Sequence, residues 1–381
     1  MSRAKEKKNS YKSLIRWVIL LVVLTVLSIG IVMGIDIYSR NALNREISAV
    51  NAANERHAIA YQVAKAEYEN MTRTGQSKAW PAPPQEGRCL LDLSTYPLEN
   101  AAGRTVSRQE LLEGGLMLVN HWHSIPPDFS EQNIKSVREW TNSRVPIRDN
   151  KIRLFQSAAD AIDGMIMDAA LMENLKDFII QNAFRTMDEQ QELFDKQVQA
   201  IKGRNANMAE SLVIEQAKKS VNYPGTSEYQ TGFAFEMKLY NKEDVTITGM
   251  RFPDSDQGKW FNENCWKYGV VFRFPTANYP DPGTEDKAFI TGNASKLNIY
   301  RYVGIAHATA MKILNMCLEE YIDYLIVNPH FAIYDNGKLI YEVYRQAYAG
   351  DDAIIQVPQA ASRYVASIDN MGGVVTAFYY D

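Results

Sequence analysis

Two histidines separated by one residue, His121 and His123, are the first side chains in this sequence that could bind a metal. On a strand they would face the same side, and H-x-H is a spacing that metal sites use. A third ligand would have to be Glu236 or His307, and nothing in the sequence brings either residue to the pair. We therefore predict no metal site here. His307 lies in a periodic apolar segment and is interpreted as a core histidine.

The cysteines do not predict a metal site or a catalytic nucleophile. Cys89, Cys265 and Cys317 are odd in number and widely spaced, which argues against a disulfide framework and against a cysteine zinc site. Cys265 and Cys317 lie in apolar patterns and are interpreted as small buried hydrophobic residues. No phosphate-binding glycine loop, Ser-His-Asp pattern or reactive-cysteine context stands out.

The N-terminus carries the clearest physical signal. Residues 17–35 (WVILLVVLTVLSIGIVMGI) contain no charge and are long enough to cross a bilayer. Six Lys and Arg residues precede them, with Glu6 as the only acid, so the positive-inside rule predicts a cytoplasmic tail over 1–16 and an extracellular remainder. A cleaved signal peptide is the alternative, which we disfavour because no clean cleavage site follows.

The predicted extracellular part is acidic. Residues 36–381 contain 35 Lys and Arg against 44 Asp and Glu, a net charge of −9. A domain with this charge is not expected to bind nucleic acid or anionic lipid through its overall field.

Residues 36–72 are predicted to form a helical stalk. Apolar and aromatic residues recur every three or four positions, and a parallel dimer through this seam is one interpretation. The seam includes Asn54 and His57, which are poor core residues, so we favour a lone amphipathic helix that holds the domain off the membrane.

Beyond the stalk, a Pro- and Gly-rich break begins a predicted linker over 73–114. The central region, 115–327, is predicted to begin with a buried strand from Leu116 and to end with one long helix over 302–325. After Asn328, β-branched and aromatic runs around Asp-Asn-Gly predict a small C-terminal β unit over 328–381.

Several stretches of the central region occur in an order that resembles a known family. They are LMLVNHWHSIPPDF (116–129), NAFRTMDEQQELF (182–194), PGTSEYQTGFAFEM (224–237), WFNENCWKYGVVFRFP (260–275) and KLNIYRYVGIAHA (296–308). Together they resemble the motifs of the VanY-type D-alanyl-D-alanine carboxypeptidases, zinc enzymes that trim peptidoglycan stem peptides. The resemblance covers a little over half the chain. It implies an α+β fold with a central antiparallel sheet and flanking helices, and work at a bacterial cell wall.

The resemblance also implies a catalytic site whose residues are replaced in this chain. The family's first His, its Asp and its second His correspond to Tyr229, Glu236 and Ile299, and its general base Glu corresponds to Lys296. A zinc hydrolase needs three protein ligands, and isoleucine offers none. A protonated lysine cannot accept a proton from water. We therefore expect no intact catalytic residue and no bound zinc, and we hypothesise an ion pair between Lys296 and Glu236 with a hydrogen bond from Tyr229.

Three residues of the resemblance could still bind substrate. Arg185 matches a family residue that orients the substrate, Gln190 belongs to the same segment, and Ser227 matches a small polar residue beside the metal site. Two of them have a structural alternative: Arg185 could form a salt bridge, and Ser227 could cap a turn.

Three functions remain open at this stage. The first is an inactive membrane-anchored domain that binds a peptidoglycan stem peptide or an envelope protein through the old cleft. The second is an active zinc D,D-carboxypeptidase with an unexpected ligand set, which would need His121, His123 and Glu236 to cluster. The third is a structural module of an envelope complex with a filled cleft. A cavity with Arg185 at its floor would favour the first, which is our prediction.

Overall fold

The fold is described from a computed structural model over residues 17–35, 37–38, 41, 88–98, 100–293 and 296–381. The chain divides into two units, residues 1–59 and 60–381. In the first unit, helix α1 (Trp17–Ile35) has 19 residues and a mean hydropathy of 3.0, so it is long and apolar enough to cross a membrane. A signal sequence near an N-terminus would show the same pattern. The predicted tail, nearly all of the predicted stalk and its dimer seam lie outside the described residues.

The second unit contains the remaining described helices and strands. The helices are α2 (Arg108–Leu112), α3 (Val137–Trp140), α4 (Gln156–Glu173), α5 (Met187–Arg204), α6 (Glu210–Lys218), α7 (Val245–Gly249), α8 (Asp256–Asn264), α9 (Ala288–Thr291), α10 (Ile305–Leu314) and α11 (Leu318–Val327). The strands are β1 (Arg88–Asp92), β2 (Ala101–Val106), β3 (Lys135–Ser136), β4 (Arg153–Leu154), β5 (Phe178–Asn182), β6 (Ala234–Leu239), β7 (Val270–Phe272), β8 (Ile299–Tyr302), β9 (His330–Asp335), β10 (Lys338–Ala347), β11 (Ala353–Pro358), β12 (Arg363–Ile368) and β13 (Gly373–Tyr379).

A four-stranded sheet in the order β5-β6-β8-β7 forms the centre of this unit, and its strand pairs are antiparallel. Helix α4 packs against it, because Ala158, Ile162, Met165 and Ala169 recur at helical spacing and are fully buried. Full burial of a side chain such as Ile162 or Met165 contributes about 1.5–3 kcal/mol. The predicted α+β architecture with a central antiparallel sheet is confirmed.

A second sheet, in the order β1-β9-β10-β13-β12, contains most of the C-terminal strands. Its edge strand β1 comes from the segment predicted as a linker, and β2 of the same segment pairs with β11. The linker prediction is therefore corrected over these described residues: they are strands that complete the C-terminal sheets. The sequence pattern missed them because both strands are short and only half-buried, with little alternation to detect. The other domain limits stay predictions.

Two predicted elements differ in detail. The single helix expected over 302–325 is two helices, α10 and α11, because Asn315 adopts a left-handed conformation (φ 54°) and Cys317 with Glu320 forms a new capping box. The buried strand expected from Leu116 is absent from the described ladders. Its segment is buried, but Leu118 donates its amide to the carbonyl of Asp369 outside any strand pair.

Cys265 and Cys317 are buried, as predicted, with at most 4% exposure. Burial raises the pKa of the Cys265 thiol to about 12 and also raises that of Cys317. Neither thiol is poised for nucleophilic chemistry near neutral pH.

Candidate functional site

A tight turn followed by a strand positions Tyr229 and Glu236. We call the surroundings of Tyr229, Glu236, Lys296 and Ile299 the cleft. Tyr229 lies in the 3-10 helix Glu228–Thr231, which ends at Gly232 in a left-handed conformation (φ 77°). A Cβ at Gly232 would lie 2.7 Å from the ring of Phe155, so both the backbone and the space require glycine. Strand β6 follows directly and carries Glu236.

The Glu236 carboxylate is surrounded by neutral hydrogen-bond donors. In the sheet it stands opposite Asn182 of β5 and opposite Ile299 of β8. Asn182 Nδ2 and the Tyr229 hydroxyl donate to Oε2 at 2.6 and 3.2 Å, and Asn298 Nδ2 donates to Oε1 at 3.3 Å. The predicted hydrogen bond from Tyr229 is therefore confirmed, and the carboxylate is satisfied without a cation.

Ile299 makes the opposite wall of the cleft apolar. It is 1% exposed and packs with Tyr229 and Phe274 in one hydrophobic cluster. Because its side chain has no polar atom, this position contributes packing alone.

Lys296 does not form the contact that was predicted for it. The residue as a whole is exposed, and no salt bridge within 4.0 Å joins it to Glu236 among the described residues. Surrounding protein lowers the pKa of Lys296 by desolvation, against the attraction of Glu236, so the two charges interact only at longer range. A direct ion pair is not required, because three neutral donors already satisfy the carboxylate.

Arg185 is a largely buried cation without a carboxylate partner in contact. It directly precedes α5, whose first turn is fixed by a capping box between Thr186 and Glu189. Its guanidinium carbon lies 4.2 Å from the ring centroid of Tyr229, and its Nη1 donates to Gln190 Oε1 at 3.4 Å. No salt bridge to Arg185 occurs within the described part of the chain. Burial lowers the pKa of Arg185, against the attraction of Tyr229 and the nearby acids.

Arg185 also lines a cavity of about 250 Å³. The other walls are mostly apolar and are formed by Ile125, Pro126, Pro127, Phe129, Phe184 and Met187. The polar lining residues are Thr186, Gln230 and Glu131, and the Glu131 carboxylate lies 3.7 Å from Arg153 Nη1. Because Glu131 has its own cation, Arg185 can offer its positive charge to a small ligand that carries a carboxylate.

Gln190 and Ser227 have different surroundings, and of the two Gln190 is the one that contacts Arg185. Gln190 is buried, and its Nε2 donates to the carbonyl of Asn222 at 2.8 Å. This hydrogen bond orients the side-chain amide so that its oxygen accepts from Arg185. Ser227 is 2% exposed and precedes the Tyr229 turn without a capping hydrogen bond. Contact of either residue with a ligand stays a prediction.

Comparison with known proteins gives this geometry a family. Residues 151–286 match the family model "VanY: D-alanyl-D-alanine carboxypeptidase". A D-alanyl-D-alanine carboxypeptidase of Enterococcus faecium is 26% identical over 283 residues, which cover 74% of this chain and 80% of that protein. Residues 151–286 are thus similar to the VanY-type carboxypeptidases.

Two further relatives agree with this assignment. The bifunctional D-Ala-D-Ala dipeptidase and D-Ala-D-Ala carboxypeptidase VanXYC of Enterococcus gallinarum is 28% identical over 180 residues, covering 47% of this chain and 83% of that protein. The structure of the vancomycin resistance D,D-dipeptidase VanXYg, in complex with a D-Ala-D-Ala phosphinate analog, has a TM-score of 0.55 at 21% identity. It covers 73% of this chain and 99% of that one, and it confirms the fold.

The side chains around Glu236 do not fit the zinc ion that the VanY resemblance implies. Ile299 has no donor atom, and Glu236 already accepts three hydrogen bonds. Burial, followed by the charge of Glu236, raises the pKa of Tyr229 far above neutrality, so its phenol stays protonated and is a poor ligand. Lys296 adds a positive charge where a base would be needed.

The three histidines considered in the sequence, His121, His123 and His307, do not supply a replacement site. His121 is exposed, and His123 Nδ1 lies 2.9 Å from Asn120 Oδ1. Over the described ranges, no three His, Cys, Asp or Glu side chains converge as metal ligands would. His307 is buried with Nδ1 2.8 Å from the Tyr321 hydroxyl, and burial lowers its pKa to about 3. His307 is thus a neutral core histidine, as predicted.

A buried ionic network supports the Tyr229 turn, and sequence reasoning missed it. Glu228 accepts from Arg273 Nε and Arg301 Nη1 at 2.5 Å each, and Arg273 also donates to both oxygens of Glu319 at 2.9 and 2.7 Å. Asn120 Nδ2 donates to Glu319 Oε1 at 3.0 Å. The charged side chains are at most 7% exposed.

The network joins the Tyr229 turn to β8, α11 and the loop at Asn120. Burial opposes the charge of Arg273, but the carboxylates of Glu228 and Glu319 outweigh it and raise the pKa of Arg273. One signal in the sequence could have revealed this ionic network. The apolar runs VVFRFP and IYRYV each contain an arginine, which must be paired if the run is buried.

Proposed function

We propose that this chain is a membrane-anchored, catalytically inactive VanY-type protein that binds the C-terminal carboxylate of a peptidoglycan stem peptide. Helix α1 would be the anchor, and the basic residues before it would keep the N-terminus in the cytoplasm. The domain that follows would then lie outside the cell, where stem peptides are found.

The observation that carries the binding proposal is Arg185. A mostly buried guanidinium without a carboxylate in contact is costly unless a ligand completes it. A peptide carboxylate can accept two parallel hydrogen bonds from one guanidinium, and such pairs are among the strong hydrogen bonds of proteins. The apolar walls of the adjoining cavity suit the methyl groups of terminal alanines.

The proposal of inactivity depends on the replaced positions. Tyr229, Glu236 and Asn298 form a closed set of hydrogen bonds, and Ile299 fills the remaining side with hydrocarbon. Nothing in this set can activate a water molecule by the route of a zinc hydrolase. The names of the relatives point to D-Ala-D-Ala ends as the ligand class.

Calorimetry on the full chain in detergent tests the binding. A D-Ala-D-Ala-terminated peptide should bind, its C-terminal amide should bind at least about tenfold more weakly, and R185Q should abolish the difference. R251Q, at an exposed arginine, is the matched control and should change nothing. Equal binding of acid and amide by the unaltered chain would contradict the role of Arg185.

Metal analysis and product release test the inactivity separately. The chain incubated with zinc should retain no stoichiometric metal and release no D-alanine. A variant that restores the family residues, Y229H/E236D/K296E/I299H, should bind zinc one to one because the backbone positions match. Tight zinc and D-alanine release by the unaltered chain would show a working carboxypeptidase instead.

A further inference from the structure

A buried histidine in the C-terminal sheet faces two hydrogen-bond acceptors. His330, the first residue of β9, is 2% exposed. Its Nδ1 lies 2.7 Å from the backbone oxygen of Tyr96, and its Nε2 lies 2.7 Å from Glu342 Oε1. A neutral imidazole has one N–H and can serve only one of two acceptors. The His330–Glu342 pair therefore requires one proton beyond those of a neutral ring and a carboxylate.

No neighbouring group in the described part of the chain takes this proton from the His330–Glu342 pair. The Tyr380 hydroxyl donates to the second oxygen of Glu342, so that oxygen stays an acceptor. The Tyr344 ring packs edge-on against the imidazole with centroids 5.4 Å apart, and the Asp92 carboxylate is turned to Ser94. Burial opposes the charge of His330, but the hydrogen bonds to Glu342 and Tyr96 outweigh it and raise its pKa.

Through Tyr96 the pair contacts residues 93–97, which lie in sequence between the apolar helix and the residues that match the VanY family. This segment has few other ties to β9: Leu93 donates its amide to the His330 carbonyl at 2.9 Å, and the Ser94 hydroxyl reaches the same oxygen at 3.4 Å. Tyr96 itself is 64% exposed, so its carbonyl is held mainly through His330. Beside the pair lies a cavity of about 380 Å³ lined by Tyr96, Pro97, Tyr334, Glu342 and Tyr380.

We propose that the proton shared by His330 and Glu342 is a clamp that closes residues 93–97 onto the C-terminal sheet, and that losing it opens this segment and the adjoining cavity. The clamp lies outside residues 151–286 and is independent of ligand binding at Arg185.

The direction of the pH effect follows from linkage. His330 has a raised pKa in the closed state and an ordinary value, about 6.5, once the segment opens. The stabilisation is therefore fully present below about pH 6.5 and is lost as the pH rises through the pKa of the closed state. Between these two values opening releases one proton, so the opening constant should rise about tenfold per pH unit.

Amide hydrogen exchange on the full chain in detergent, from pH 6 to pH 9, tests the clamp. After correction for intrinsic exchange, the opening constant measured at the amides of residues 93–96 should be flat near pH 6 and then rise by up to tenfold per pH unit. E342Q is the decisive variant: its amide can donate to a neutral His330 while its oxygen accepts from Tyr380, so all contacts persist without the extra proton. The pH-dependent rise should vanish in E342Q.

Two controls separate the clamp from general effects. E210Q removes an exposed acid and should keep the full pH dependence. Y380F removes one donor to Glu342 but keeps the ring–carboxylate contact, so the rise should persist with a shifted midpoint. A flat profile in the unaltered chain, or an equal rise in E342Q, would overturn the proposal.

Discussion

Replacing Glu228 with glutamine tests whether the buried ionic network holds the cleft together. In the native protein its two carboxylate oxygens accept separately from Arg273 and Arg301. A glutamine has one acceptor oxygen, so its amide nitrogen would face the other guanidinium as donor against donor. Arg273 would keep Glu319, whereas Arg301 would keep only backbone carbonyls.

The expected magnitude follows from this geometry. Breaking a buried ion pair by removing one partner costs about 3–5 kcal/mol, because a buried charge is left uncompensated. For a domain of this size each kcal/mol lowers the melting temperature by about 2 °C, so E228Q should melt roughly 6–10 °C lower. Circular dichroism of the full chain in detergent, recorded on heating, measures this change.

The matched control is E192Q, which removes the acid of an exposed pair with Lys196 on α5. Exposed pairs of this kind contribute about 0.3–0.5 kcal/mol, so E192Q should melt within about 1 °C of the unaltered chain. If E228Q lost less than about 1 kcal/mol, the network would not be a coupled buried unit, and the reasoning would be refuted.

Three further predictions concern single side chains. Because burial lowers the pKa of His307 to about 3, stability should be full above about pH 6.5 and decline as the pH falls from there, and H307N should flatten this decline in pH-dependent melting. G232A should cost at least about 1–2 kcal/mol in denaturant titration, since its left-handed backbone penalises a Cβ; a neutral effect would contradict the turn geometry. In native thiol-labelling kinetics Cys89, which is half-buried, should react before Cys265 and Cys317, and equal rates would refute the burial of those two.

The sequence was sufficient for the parts of this protein whose signals are local. The apolar run at residues 17–35, the helical spacing in α4 and the motif around Tyr229 are all readable without a structure. The role of Glu236 beside Tyr229 was also predicted correctly, because the turn and the strand that carry them are adjacent in the chain.

What the sequence could not supply depends on pairing between distant strands. Asn182 and Asn298 complete the Glu236 site only because β5 and β8 flank β6, and their register is set by tertiary packing. The same holds for β1 and β2, which are too short to be recognised before their C-terminal partners are known. The ion pair between Lys296 and Glu236 was predicted from charge alone. Charge does not reveal that neutral donors already satisfy the hydrogen-bonding capacity of the carboxylate.

The charges around Arg185 and Lys296 favour an anion as the ligand of this site. Arg185 and Lys296 each carry a positive charge, and neither forms a salt bridge in the described structure, whereas Glu236 is the acid that both sense. The Glu236 carboxylate accepts hydrogen bonds from three neutral donors, and neither cation contacts it. Arg185 and Lys296 are therefore two cations without a salt-bridge partner among the described residues, and Arg185 lies beside a largely apolar cavity. A ligand with a single carboxylate and small apolar side chains would pair with Arg185 and pack against the apolar walls, whereas a neutral ligand would leave the guanidinium unpaired.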